Sequence, residues 1–153
     1  MKKLVFLFAI LVSLPIKAQF AIKGGISSTK DELSNYVVTG QFYQDLLVVS
    51  GDLLIPTHKN EKLSGGGRIG LGLGGDRVRF VADIGASYEN EEFRFGYGTE
   101  LNLRLLGPIG IFARFSQTHP IPNDDEYKVD LWKCKRSEVS VGIVIDLING
   151  SHY

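Results

Sequence analysis

Three features that would narrow the class of this protein are scarce in its sequence. Cys134 is its only cysteine, so no disulfide can form within the chain, and the thiol is either free or paired between molecules. The 17 basic and 17 acidic residues cancel, which gives no sign of attraction to nucleic acid. Beyond the first residues, no segment has the ~18 consecutive apolar residues that a membrane helix needs. A disulfide scaffold, a nucleic-acid partner and helical membrane spans are therefore not expected.

The chain begins with the pattern of a secretory signal peptide. Lys2 and Lys3 form a basic start, Leu4 to Leu14 is apolar, and Ala18 supplies the small residue that precedes a cleavage site. The apolar run is short for a membrane span, although a retained N-terminal anchor is the alternative. We expect residues 1–18 to be removed and residues 19–153 to form a single domain, as the length also suggests.

Glycine is abundant, with 18 residues, and many of them lie inside runs in which apolar and polar residues alternate. Three such runs follow one another: Leu63 to Leu73, Arg77 to Tyr88 and Phe93 to Leu105. Side chains on a strand point alternately to two faces, so this period of two predicts long two-faced strands joined by short turns. Because glycine within a strand marks a close approach or a bend, one face is expected to be crowded.

The alternation extends along the chain and predicts eight strands. Their expected bounds are Gln19 to Ser27, Asn35 to Tyr43, Leu46 to Ile55, Leu63 to Leu73, Arg77 to Tyr88, Phe93 to Leu105, Ile109 to Gln117 and Ser137 to Ile148. The connections near Gln44, Gly75 and Gly107 are tight, and the others are mostly longer and polar. This arrangement predicts an all-β fold, an eight-stranded antiparallel up-and-down (meander) barrel whose closure removes the exposed edges.

Three features favour a barrel with its apolar face outward in a membrane over a soluble one with an apolar interior. The polar face is rich in glycine, which suits a narrow lumen. Its cations are mostly arginine, whose planar fork makes two hydrogen bonds to a desolvated carboxylate. Aromatic residues of the apolar face crowd towards strand ends, like an interfacial girdle: Phe20, Tyr36, Phe42, Tyr88, Phe93 and Phe115.

On this pattern the mature chain resembles the small eight-stranded outer-membrane β-barrels of the OmpA/OmpX type. The resemblance implies a non-enzymatic protein in the outer membrane of a Gram-negative cell. It also implies an orientation in which the longer loops face the cell exterior.

No motif for catalysis or for cofactor binding stands out from this background. Gly70, Gly72 and Gly75 match G-x-G-x-x-G, but they lie in a strand rather than at a strand-to-helix turn, so the match is accidental. His58, His119 and His152 are scattered outside the predicted strands and give no metal-ligand spacing. No serine stands in a nucleophile context. We therefore expect no enzyme activity, no metal and no cofactor.

The charged residues of the polar face are predicted to form an ion network inside the barrel. The candidate members are Lys23, Asp52, Arg68, Arg79, Asp83, Arg94, Glu100, Arg104, Arg114, Glu138 and Asp146. Six of them, Arg68, Arg79, Asp83, Arg94, Glu100 and Arg104, are expected to form one connected set. An eight-stranded barrel is only just wide enough for its own side chains, so a large open pore is not expected.

Recognition is predicted to fall to the longest connection, residues 119–135. The candidate contacts for a protein partner are Asp124, Asp125, Glu126, Tyr127 and Trp132, because loops on a rigid scaffold usually carry binding residues. The alternatives are a soluble exported barrel, periplasmic or secreted, that binds a small apolar ligand, and an envelope subunit of a larger assembly. The pattern does not indicate an oligomeric state.

Overall fold

The computed structural model describes residues 19–29, 33–57, 62–75, 77–89, 92–121 and 136–148. The predicted signal peptide, residues 1–18, lies outside them. The described residues form eight strands: β1 (Gln19–Thr29), β2 (Leu33–Gln44), β3 (Leu47–Pro56), β4 (Ser64–Gly74), β5 (Val78–Glu89), β6 (Glu92–Leu106), β7 (Ile109–Pro120) and β8 (Arg136–Ile148). The described residues include no helix with the length and apolar character needed to cross a membrane.

The strands form one closed antiparallel barrel in chain order, which confirms the predicted meander. Each strand pairs with the next, and β8 returns to pair with β1, where Lys23 lies opposite Val144 and Gly25 opposite Gly142. Closure gives the inner residues of every strand hydrogen-bonded neighbours on both sides, so the barrel has no open sheet edge.

Strand β7 is longer than the sequence predicts, and His119 lies in it rather than in the following loop. His119 pairs with Phe95 and Pro120 with Arg94 of β6, and the Ile121 N–H donates to the Phe93 carbonyl at 2.9 Å. Proline lacks a backbone donor and is tolerated at the end of a strand. Pro120, which lies in the connection predicted from the sequence, thus ends a strand instead.

The tight connections lie at one end of the barrel, and two glycines and an aspartate provide the backbone conformations that they need. Asp45 between β2 and β3, Gly74 at the end of β4 and Gly107 between β6 and β7 have φ values of 52°, 125° and 53°. These values are in the left-handed region, which glycine adopts readily and aspartate tolerates. We call this end the tight-turn end and the opposite one the long-loop end.

Polar side chains point into the barrel and apolar ones point outward. Lys23 and Gln41 are fully buried and Glu100 is 2% exposed, whereas Ile143 and Leu71 on the outer face are 55% and 61% exposed. The lumen also holds a few apolar side chains, namely Ala21, Val37, Val48, Leu54, Val81, Phe112 and Val144. This distribution is the reverse of a water-soluble barrel, in which the apolar face is buried.

Inward-facing glycines give space to the larger lumen side chains next to them. A Cβ atom at Gly98 would lie 2.7 Å from the Arg114 guanidinium, and one at Gly85 would lie 2.6 Å from Arg68 Cγ. One at Gly142 would lie 2.8 Å from the Phe112 ring and 2.5 Å from the Cα of Gly25. These distances are shorter than non-bonded atoms allow, and at Gly85 and Gly142 the close neighbours include backbone atoms, so the lumen packing depends on glycine there.

We predict that Gly142→Ala lowers the free energy of unfolding by about 1–3 kcal/mol, the usual cost of forcing an extra carbon into a packed interior. Gly24→Ala is the matched control, because Gly24 is exposed on the outer face and a Cβ there meets no atom within 4 Å. Urea unfolding in detergent micelles, followed by circular dichroism, measures both. Equal stability of the two variants would show that the lumen relaxes around an added methyl group.

Candidate functional site: the polar lumen

Described residues of the lumen line two small cavities, one on either side of a densely filled layer. The cavity towards the long-loop end has a volume of about 70 Å³, and that towards the tight-turn end about 30 Å³. Between them lie five buried side chains, which we call the waist: Lys23, Gln41, Val48, Val81 and Glu100. On β2, for example, Gln41 stands between Thr39, which lines the first cavity, and Tyr43, which lines the second.

Four charged side chains on the long-loop side of the waist form a branched cluster. The Arg114 guanidinium donates to both oxygens of Asp83, at 2.9 and 3.0 Å, and Arg68 Nη1 donates to Asp83 Oδ2 at 3.1 Å. Arg68 also binds Asp52 through two of its nitrogens, and the Thr39 hydroxyl donates to Asp52 Oδ1 at 2.6 Å. Two arginines thus balance two carboxylates across β3, β4, β5 and β7.

The waist carries its own ion pair, between Lys23 of β1 and Glu100 of β6. The Lys23 ammonium contacts Glu100 Oε1, and both side chains are almost completely buried. Asn102 Nδ2 donates to the same oxygen at 2.8 Å, and the ammonium lies 5.5 Å from the centre of the Phe112 ring. A charge removed from water in this way needs a close opposite charge and hydrogen bonds, and Glu100 receives both.

On the tight-turn side, two arginines have different kinds of partner. Arg104 binds Asp146, with its Nε atom 3.0 Å from Asp146 Oδ2. Arg79 instead lies over the ring of Tyr43, with its guanidinium carbon 4.2 Å from the ring centre. The Tyr43 hydroxyl donates to Gln41 Oε1, which connects this layer to the waist.

Two further members of the predicted ion network, Arg94 and Glu138, lie nearer the long-loop end. Arg94 Nε donates to the Thr118 hydroxyl at 3.2 Å, and its Nη1 donates to Glu92 at 3.4 Å. Glu138 lines the larger cavity and stands opposite Ser116 in the β7–β8 pairing. The lumen charges are therefore distributed along the whole length of the barrel.

The structure brings the predicted residues into the lumen but distributes them over different contacts. Of the six residues expected to form one connected set, Arg68 and Asp83 contact each other. Glu100 binds Lys23, Arg104 binds Asp146, and Arg79 stacks on Tyr43. The single connected set therefore stays a prediction, because strand alternation identifies the face of a residue but not its height in the barrel.

Uncharged polar residues of the lumen were missed by the sequence reasoning, which selected for charge. Thr39, Gln41 and Asn102 are all buried. Thr39 donates a hydrogen bond to Asp52, Asn102 donates to Glu100, and Gln41 accepts one from Tyr43. Their position on the inward parity of β2 and β6 was the available signal.

The loop candidates Asp124, Asp125, Glu126, Tyr127 and Trp132 lie outside the described residues. Within the described residues, no group of three or more His, Cys, Asp or Glu side chains could hold a metal ion.

We predict that Glu100→Gln lowers the free energy of unfolding by about 3–5 kcal/mol, because it leaves the buried Lys23 ammonium without its counter-charge. Glu92→Gln is the matched control, since the Glu92 side chain is 63% exposed in its pair with Arg94 and exposed pairs contribute little. The double variant Lys23→Met/Glu100→Gln should recover most of the loss. Urea unfolding in micelles gives all three values, and a single-variant loss no larger than that of the control would indicate a solvated waist.

No family model and no curated protein matches the chain. Among solved structures, a designed transmembrane β-barrel has a TM-score of 0.55 at 9% sequence identity, over 84% of this chain and 95% of that one. Neisserial surface protein A (NspA) has a TM-score of 0.44 at 10% identity, over 85% of this chain and 96% of that one. The closed barrel, its outward apolar face and the first of these similarities agree, and the chain has the fold of the small eight-stranded transmembrane β-barrels.

Proposed function

We propose that this chain is a non-enzymatic integral protein of the outer membrane, with a lumen closed by its ion-paired waist and a recognition loop between β7 and β8. The observation that carries the proposal is the inverted distribution of side chains. Charged groups such as Lys23 and Glu100 are buried inside, while the apolar face is exposed over the whole circumference. Such a surface is stable in lipid, and lipid-facing and lumen-facing residues alternate in membrane barrels.

Aromatic side chains on the outer face support a membrane location. Tyr36, Tyr88, Phe93 and Tyr97 are exposed near the long-loop end, and Tyr88 packs against Phe93 with 4.8 Å between ring centres. Tyr97 donates a hydrogen bond to Gln117 at 2.5 Å, where the outward face of β7 changes from apolar to polar. Aromatic rings with a polar edge favour the boundary between hydrocarbon and water.

A soluble carrier of an apolar ligand is not supported by the lumen. Such a carrier needs a largely apolar pocket of several hundred cubic ångströms. The two cavities here have volumes of about 70 and 30 Å³, and arginine and carboxylate side chains line both. Four lumen carboxylates, Asp52, Asp83, Glu100 and Asp146, are partners of lumen arginines or of Lys23, so they also suit a structural role better than acid–base catalysis.

The connection after Pro120 is proposed as the place of recognition. It is the longest in the chain and joins two strands that are held on both sides within the barrel. It contains the acidic group Asp124 to Glu126 and the aromatic residues Tyr127 and Trp132. A rigid barrel that offers an acidic and aromatic loop suits a protein partner, either a separate one or another subunit of an envelope assembly.

We predict that the protein remains with outer membranes during a carbonate wash of cell envelopes and leaves them only in detergent. Ile143→Arg should impair insertion into lipid vesicles, because arginine near the middle of the lipid-facing band costs about 2–4 kcal/mol. Leu63→Arg is the control at the long-loop end, just before β4, where the cost should be about 0–1 kcal/mol. Recovery of the native protein in a soluble fraction, or equal insertion of both variants, would refute the membrane location.

For the loop, we predict that replacing Asp124 to Trp132 with a short Gly/Ser linker leaves the barrel folded but removes its biological effect. Retained resistance to urea would show that the scaffold is intact, and complementation of a deletion strain reports on function. A matched replacement of residues 58–61, between β3 and β4, should leave complementation unchanged. Full rescue by the 124–132 variant, or its failure to fold, would contradict the recognition role.

A further inference from the structure

The two cavities of the lumen have opposite formal charge. Four carboxylates and two arginines line the larger one at the long-loop end, whereas three arginines and one aspartate line the smaller one at the tight-turn end. The three arginines of the smaller cavity are Arg77, Arg79 and Arg104, and the aspartate is Asp146. The tight-turn cavity therefore has an excess of two positive charges among its lining residues, which favours an anion.

Arg79 is the central cation of this cavity. Its stem packs over Gly72, where an added Cβ would lie 3.6 Å from Arg79 Cδ, and its guanidinium stacks on the Tyr43 ring. When a guanidinium stacks on an aromatic ring, its flat face contacts the ring. The N–H groups lie in the guanidinium plane and remain available as hydrogen-bond donors. Among the described residues no carboxylate lies within salt-bridge distance of Arg79, unlike Arg104, which binds Asp146.

Arg77 places a second positive charge at the mouth of the cavity. Its side chain is exposed, and its position is fixed by the backbone, because its carbonyl accepts a hydrogen bond from the Arg104 N–H at 2.8 Å. Within the described part of the chain, no acidic side chain is within salt-bridge distance of Arg77. The guanidinium groups of Arg77 and Arg79, at the start of β5, can thus both donate hydrogen bonds to a ligand at the mouth of this cavity.

A buried acceptor in the same cavity adds a second requirement for the ligand. Asn102 lines the cavity opposite Arg79 and is 8% exposed. Its Nδ2 atom is held by Glu100, and its Oδ1 atom has no hydrogen-bond partner among the described residues. A buried acceptor of this kind favours a ligand with a hydroxyl donor. A protonated phosphate oxygen provides that donor, whereas sulfate has none at neutral pH.

We propose that the tight-turn mouth binds a phosphate group, either a free phosphate ion or a phosphomonoester of a lipid headgroup. Arginine forks match phosphate oxygens with paired, charge-assisted hydrogen bonds. The cavity volume of about 30 Å³ has room for only about two water molecules. The phosphate therefore sits at the mouth, with its oxygens on Arg77 and Arg79 and its hydroxyl directed inward to Asn102.

The test is the unfolding equilibrium of the full protein in neutral detergent with phosphate, sulfate or chloride at one ionic strength. Phosphate at ten times its dissociation constant should shift the equilibrium about elevenfold towards the folded state, and sulfate should shift it much less. Arg79→Met should abolish the phosphate effect while keeping an apolar stem over Gly72. Arg77→Gln, at an exposed position, should weaken the effect and serves if the Arg79 variant does not fold.

Arg94→Gln is the matched control, because it removes one arginine from the other end of the lumen and should leave the phosphate effect unchanged. A second comparison, in phosphatidylcholine nanodiscs with and without phosphatidate, separates the two sources. Stabilisation by phosphatidate alone assigns the site to a lipid headgroup, and saturable stabilisation by inorganic phosphate assigns it to the free ion. Stabilisation by neither, equal stabilisation by sulfate, or equal loss in the Arg94 variant would overturn the proposal.

Discussion

The interior of an eight-stranded barrel is no wider than the side chains that fill it, and the rest of this structure depends on that limit. A long inward side chain needs an empty position beside it, which glycine provides: Gly98 next to Arg114, and Gly85 opposite Arg68. A charge inside so narrow a space also loses most of its water and needs an opposite charge within reach. Abundant glycine, a preference for arginine and a balance of charges are thus consequences of one geometric limit.

The limit also explains why the ion pairs differ in kind along the barrel. At the waist both partners are almost completely buried, and the compact ammonium of Lys23 fits beside Phe112 and a single carboxylate oxygen of Glu100. Nearer the long-loop end there is space for the wider guanidinium groups, and Asp83 receives hydrogen bonds from Arg68 and Arg114 at once. The planar fork of arginine can bridge strands that a lysine would contact at only one point.

Much of the fold could be predicted from the sequence, because alternation of side chains is a local property. Runs such as Val78 to Tyr88 carry the period of two in adjacent residues, so the strands, their inward faces and the closed meander all followed. The pairing of Arg104 with Asp146 could not be predicted in this way, since it depends on how far each strand is shifted against its neighbours. The extension of β7 to Pro120 was missed for a related reason, because it depends on partners in β6.

The distribution of side chains in the barrel also determines where this protein can contact other molecules. With the lumen closed at the waist, as proposed, and an apolar outer face between the ends, polar ligands would have access only to the two ends. Those ends are unlike. The tight-turn end has short connections and an excess of arginine, which suits a small anion held by fixed side chains. At the long-loop end, acidic residues exceed basic ones in the cavity lining, and the longest connection is acidic and aromatic as well. A rigid, charge-divided barrel can therefore hold two chemically different surfaces at a constant distance, one on each side of the membrane it is proposed to span.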